Sequence, residues 1–177
     1  MNPLAIVTPV SRATPMAFLT GLVLLAVLDA AKTWYGLSLV STEGGGDGFG
    51  YLSMGLFGLM VVFVSFLFIN RRRDAGDGIM LFLLPVILAV LISVIASIVM
   101  LTAGSFQVMG VFAEEQGRDL MTVAQDPAFQ AEFQAWMEDR PELALQMVGP
   151  AAWAGFAGFW VTSFLFGLWF MSMRRED

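Results

Sequence analysis

The 177-residue chain is 58% hydrophobic and only 14% charged, with a mean hydropathy of +0.76 and a net charge of −6. Soluble domains carry about 25% charged residues, so this composition excludes an ordinary soluble domain. The net negative charge argues against a nucleic-acid partner, and the absence of cysteine and histidine removes disulfides, thiolate nucleophiles and the usual zinc and haem ligands.

Long uncharged stretches predict membrane-spanning helices. No charged residue falls between Asp47 and Arg71, between Asp77 and Glu114, or between Glu142 and Arg174. A helix needs about 20 apolar residues to cross the hydrocarbon layer, and each interval supplies them. The sequence therefore predicts one all-α membrane domain over 1–177, a four-helix bundle with amphipathic helices outside the membrane. Its spans are predicted at about 15–40, 50–70, 78–103 and 149–173.

The arginines predict the orientation of these spans. Those nearest the span ends all fall on one side of the predicted bundle: Arg12, Arg71, Arg72, Arg73, Arg174 and Arg175. The opposite side has the glycine-rich loop 41–50 and the acidic segment 104–148. Because arginine-rich loops stay in the cytoplasm, both termini are expected inside, in a bacterial inner membrane. A cleaved signal peptide over the first span is the rival interpretation; it would leave three spans with the same orientation.

The segment 104–148 is expected to be an external helical region. The uncharged run that begins at Gly78 exceeds one crossing, so we expect a break or bend near Gly104 or Gly110. Asp126 and Pro127 predict a helix start, and Gly149-Pro150 is expected to lead into span 4. An aromatic stripe then follows at helical spacing, formed by Phe129, Phe133 and Trp136. It could lie in the headgroup layer, cap the bundle or meet a partner.

Two charged residues lie inside the first predicted span. Asp29 and Lys32 are spaced i, i+3 and so share one helix face, where they can pair. One interpretation is a mutually neutralising pair whose lysine extends toward the membrane surface. The other is that Asp29 faces the bundle interior and binds a cation or a proton.

Small residues recur at helical spacing in the other three spans. Such residues let helix backbones approach closely in lipid, either within one bundle or against a partner. The candidate packing positions are Gly55, Gly58, Ala89, Ser93, Ser97, Gly155, Gly158 and Thr162.

The second half of the chain resembles a family of small four-span bacterial membrane proteins that has no established activity. The resemblance lies in the Glu115-Gln116-Gly117 stretch, in Pro127, Phe133 and Pro141, and in a glycine-rich last span. It implies a compact four-helix fold and carries no catalytic or ligand residue.

These features predict a non-enzymatic accessory or structural membrane protein that acts by helix association. No nucleophile–base pair, metal set or cofactor site can be drawn from the sequence. The expected partners are the lipid bilayer and either another membrane protein or a second copy of the chain. The alternative is a small ion or proton channel or transporter component that uses Asp29.

Overall fold

The computed structural model describes residues 12–40, 46–75, 83–119, 127–138 and 140–172. Within these ranges the chain forms five α-helices and no strand: α1 Pro15–Val40, α2 Gly46–Ala75, α3 Leu83–Glu115, α4 Pro127–Glu138 and α5 Pro141–Ser172. Four are long and apolar enough to cross a membrane, namely α1, α3, α5 and the Leu52–Asp74 part of α2. The predicted all-α membrane bundle is therefore confirmed. Arg174, Arg175, Asp126 and the residues 41–45 and 76–82 lie outside the described residues.

The bundle has two chemically distinct ends. We call the end with Arg12, Arg71 and Arg72 the arginine end, and the end with Glu114 and α4 the acidic end. Helix α1 packs against α2 and α5, and α3 packs mainly along α5. Tightly packed aromatic rings fill the arginine end: Phe68 meets Phe18 and Phe170 edge-to-face, with ring centroids 5.2 Å apart in both pairs. All three rings are fully buried.

The expected break near Gly104 or Gly110 is wrong, because α3 runs without interruption for 33 residues. Gly104 instead marks a close helix contact. A Cβ on Gly104 would lie 3.0 Å from the Met147 carbonyl oxygen of α5. The glycine therefore lets two backbones approach where the sequence suggested a turn.

Helix α5 also continues through an expected boundary. It begins at Pro141 and contains Pro150 in its interior, so Gly149-Pro150 does not start a separate span. The packing of α5 along α3 holds the helix on both sides of the proline. Residues 104–115 and 141–148 thus extend the membrane helices, and α4 is the one separate helix in the described part of 104–148.

The stretch that carried the family resemblance ends α3. Gly117 adopts a positive φ of 64°. The Arg118 N–H donates to the Ala113 carbonyl at 2.9 Å, and the Gly117 N–H donates to the Glu114 carbonyl at 3.1 Å. This is the Schellman pattern of a glycine C-cap, which satisfies two carbonyls at the helix end.

Small residues hold α3 against α5. Ala89 and Ser93 are buried on α3 and Thr162 is buried on α5, and Ser93 lies against Gly155 and Gly158 of α5. A Cβ on Gly158 would lie 3.2 Å from both the Ile92 carbonyl oxygen and the Ser93 Cα. A side chain on Gly155 would collide with the Ser97 hydroxyl, which donates to the Ala151 carbonyl at 3.2 Å. The contact at Gly158 is therefore between the backbones of the two helices.

The glycines of α2 lie differently. A Cβ on Gly55 or Gly58 would meet no atom within 4 Å. Their neighbours Leu52 and Met54 are also exposed. These two small residues therefore make no helix contact within the described bundle.

Candidate functional site: a buried charge pair beside a cavity

Asp29 and Lys32 form an ion pair inside the bundle. Lys32 Nζ lies 2.7 Å from Asp29 Oδ1, and Asp29 is only 2% exposed. The other carboxylate oxygen, Oδ2, accepts a hydrogen bond from Trp160 Nε1 of α5 at 2.8 Å. One oxygen of the carboxylate thus lies in an ion pair and the other accepts a hydrogen bond, and the side chain is buried inside the bundle.

Trp160 is the member of this group that the sequence did not reveal. It lies 131 residues from Asp29, among several aromatic residues with the same local appearance. A buried indole N–H needs an acceptor, which is the one sequence-level signal that links such a tryptophan to an intramembrane carboxylate.

The lysine lies at the edge of the pair. Its side chain is 13% exposed, against 3% for that of Asp29. The ammonium also lies over the Phe57 ring of α2, 5.6 Å from the ring centroid. Lys32 therefore connects α1 with α2, while Asp29 connects α1 with α5 through Trp160.

A cavity of about 600 Å³ opens next to this pair. Its walls come from all four long helices, toward the acidic end of the aromatic core. The polar lining includes Asp29, Lys32, Thr33, Ser53, Ser93 and Ser97. The apolar lining includes Leu37, Met54, Phe57, Ile98, Ala152 and Phe156. The structure thus brings the charge pair together with three small-residue positions, Ser93, Ser97 and Gly155.

The arginine end holds a second buried ion pair. Arg71 Nη1 lies 3.0 Å from Asp74 Oδ2, and Arg71 Nη2 donates to the Met171 carbonyl at 3.4 Å. The Arg72 guanidinium carbon lies 5.5 Å from the centroid of the Phe170 ring. Both arginines are at most 4% exposed, so they join α2 to α5 as well as marking the end of the span.

The aromatic stripe of α4 packs onto the projecting part of α3. Phe129 is 3% exposed, and its ring and those of Phe133 and Trp136 surround Phe112, with centroids 5.0–5.7 Å away. At 1.5 Å per residue, α3 is about 50 Å long against a hydrocarbon layer of about 30 Å, so its last turns project from the membrane. The stripe therefore caps this projection.

Polar contacts surround the same cap. Glu115 Oε2 accepts hydrogen bonds from Arg140 Nη1 at 2.8 Å and from Trp136 Nε1 at 3.0 Å. The Arg140 hydrogen bond, and then that of Trp136, lower the pKa of the Glu115 carboxyl below its usual value. Arg140 also stacks on Trp136, 4.3 Å from its ring centroid. These groups anchor α4 and the start of α5 to the end of α3.

Among the described residues, no group of three His, Cys, Asp or Glu side chains could hold a metal ion. The cavity offers an ion pair, hydroxyl groups and apolar walls. Fold and site together define a multi-pass membrane protein built as a helical bundle.

Comparison of the chain with protein-family models, with curated proteins and with solved structures finds no match. The resemblance to the four-span bacterial family therefore stays a prediction.

Proposed function

We propose that this chain is a non-enzymatic accessory membrane protein that associates with a membrane-protein partner or with its own copies. The observation that best supports this proposal is the exposed glycine face of α2, formed by Gly55 and Gly58. In lipid, small residues stabilise helix association when the backbone of another helix packs against them. The small residues of α3 and α5 already do so within the bundle, whereas a Cβ on Gly55 or Gly58 would meet no described atom within 4 Å. Met54, at 77% exposure, extends the same apolar surface.

The test is to fill this face. Gly55→Leu and Gly58→Leu are expected to leave the bundle folded and to reduce association, because leucine keeps a partner backbone at a distance. The measurement is the mass of the protein–detergent complex in mild detergent, together with proteins recovered from native membranes. Ala157→Leu is the matched control, since Ala157 is exposed on α5. A monomeric wild-type protein with no partner would contradict the proposal.

The proposed location is a bacterial inner membrane, with the arginine end in the cytoplasm. Its support is the position of Arg12, Arg71 and Arg72 at one end of the bundle, whereas Arg118 and Arg140 at the other end are paired with carboxylates. Because the chain has no cysteine, single cysteines can report the orientation without background. In intact spheroplasts, an impermeant maleimide is expected to label Glu132→Cys on α4 and to leave Ser172→Cys unlabelled. The reverse pattern would invert the topology.

The alternative function is a small ion or proton channel or transporter component that uses Asp29. Its favourable observation is that Asp29 is buried and borders the cavity. Against it, the packed rings of Phe18, Phe68 and Phe170 fill the bundle between this site and the arginine end. In proteoliposomes, this function requires an ion or proton flux that Asp29→Asn abolishes. Equal flux through both proteins would exclude a role for Asp29.

A further inference from the structure

The polar groups of the cavity define what a bound molecule must offer. Both Asp29 oxygens are already paired, one with Lys32 and one with Trp160. The Ser97 hydroxyl proton is directed to the Ala151 carbonyl. An ammonium carries three donors, and Asp29 accounts for one of those of Lys32. The Lys32 ammonium therefore retains donors that Asp29 does not use, and a ligand oxygen can accept a hydrogen bond from it.

The charge balance favours a neutral ligand. Lys32 and Asp29 neutralise each other at 2.7 Å, and among the described residues the cavity lining contains no other charged side chain. A bound anion or cation would therefore bring an unbalanced charge into a low-dielectric site, at a cost of several kcal/mol. A carbonyl oxygen accepts a hydrogen bond without adding charge.

The rim of the cavity faces the surroundings of the bundle. Met54, Val94 and Ile98 line the cavity and are also 77%, 45% and 57% exposed. These apolar residues lie on membrane-spanning helices, so the cavity can be reached from the lipid. A ligand that enters by this route must dissolve in the membrane.

The shape and lining favour a ring-bearing head group. Small-molecule sites have volumes of about 300–1,000 Å³, and this cavity falls in that range. Phe57 of α2 and Phe156 of α5 offer aromatic contacts to a planar ring. Ser53 of α2 and Ser93 of α3 also line the cavity, from helices other than the α1 helix that carries Lys32. A second accepting oxygen on the far side of a ring could reach one of them.

We propose that this cavity binds a lipid-soluble quinone, with one carbonyl oxygen accepting a hydrogen bond from Lys32 and the apolar tail leaving past Met54 and Ile98. A quinone combines a neutral planar ring, two opposed carbonyl oxygens and solubility in the membrane. The proposal concerns binding only and does not depend on the association proposed above.

The experiment uses the full-length protein in dodecyl maltoside and decylubiquinone as the probe. Native mass spectrometry across a concentration series is expected to show saturable binding of one quinone per chain. Ala152→Phe and Ser53→Leu place bulk in the cavity, and each is expected to weaken binding by about tenfold or more, because the site would then be overpacked. Ala157→Phe is the control on the exposed face of α5, and its binding should match the wild type within about twofold.

A second comparison tests the hydrogen bond. The double variant Asp29→Asn, Lys32→Met keeps the site neutral and removes the donor at position 32, and quinone binding is expected to fall several-fold. Thermal unfolding in the same detergent identifies any variant that is misfolded. If one of the two cavity variants is misfolded, the quinone binding of the other tests the proposal. The proposal is overturned by the lack of a saturable quinone complex, or by equal binding in Ala152→Phe, Ser53→Leu and Ala157→Phe. It is also overturned if dioleoylphosphatidylglycerol takes the site in place of the quinone.

Discussion

Replacing Gly158 by leucine is expected to destabilise the bundle by about 3 kcal/mol or more, the upper end of what overpacking costs. Even a Cβ at this position lies 3.2 Å from the Ile92 carbonyl oxygen and from the Ser93 Cα. Both are backbone atoms of a helix, so they cannot rotate aside as a flexible side chain could. Helices α3 and α5 would have to separate along their main contact.

Unfolding by sodium dodecyl sulphate in mixed micelles, followed by circular dichroism, measures this effect. Gly58→Leu is the matched control, because it adds the same side chain to a glycine of α2 where a Cβ would meet no described atom within 4 Å. The control is expected to unfold like the wild type and, under the association proposal, to lose its partner. If Gly158→Leu were as stable as Gly58→Leu, the close α3–α5 contact would be wrong.

These two glycines show what sequence reasoning could and could not supply. The intervals without charge were enough to predict four spans, because crossing lipid demands a long apolar helix whatever its neighbours are. The partner of each small residue is a different question. Gly58 and Gly158 both follow the same spacing rule, yet one is exposed and the other meets α3. Helix spacing defines a face, but only the arrangement of helices decides what covers it.

Gly104 and Pro150 show a related limit. Locally, a glycine favours a break and a proline interrupts the hydrogen bonds of a helix, so both predicted boundaries. In the structure both lie inside helices of more than 30 residues. Close packing between α3 and α5 outweighs the local preference, since Gly104 brings Met147 into contact. That information is non-local and cannot be obtained from a window of sequence.

The candidate site, like the fold, could be predicted from the sequence only in part. The i, i+3 spacing of Asp29 and Lys32 was sufficient to predict that the two could pair, because that geometry belongs to a single helix. Trp160 comes from α5 and depends on how α1 and α5 are aligned. The cavity depends on all four spans at once. The local half of the site was therefore predictable, and the half that gives it a binding surface was not.

Removing the lysine of the buried pair is the second large effect that we expect. Lys32→Met leaves Asp29, 2% exposed, with the Trp160 indole as its remaining described donor. Breaking a buried ion pair from one side costs about 3–5 kcal/mol in soluble proteins, because the other charge stays buried without compensation. We expect a loss of about 3 kcal/mol in the mixed-micelle assay.

The double variant Asp29→Asn, Lys32→Met separates this cost from simple loss of contacts. It removes both charges, keeps a side chain of similar size at each position, and leaves an amide that can still accept from Trp160. Because replacing a whole buried pair is often close to neutral, the double variant is expected to recover most of the lost stability. An equal loss of unfolding free energy in the single and double variants would mean that the pair contributes packing rather than charge balance. Recovery of stability in the double variant would show that the main role of Lys32 is to neutralise Asp29. The contact of Asp29 with Trp160 of α5 would then be the structural role of the pair.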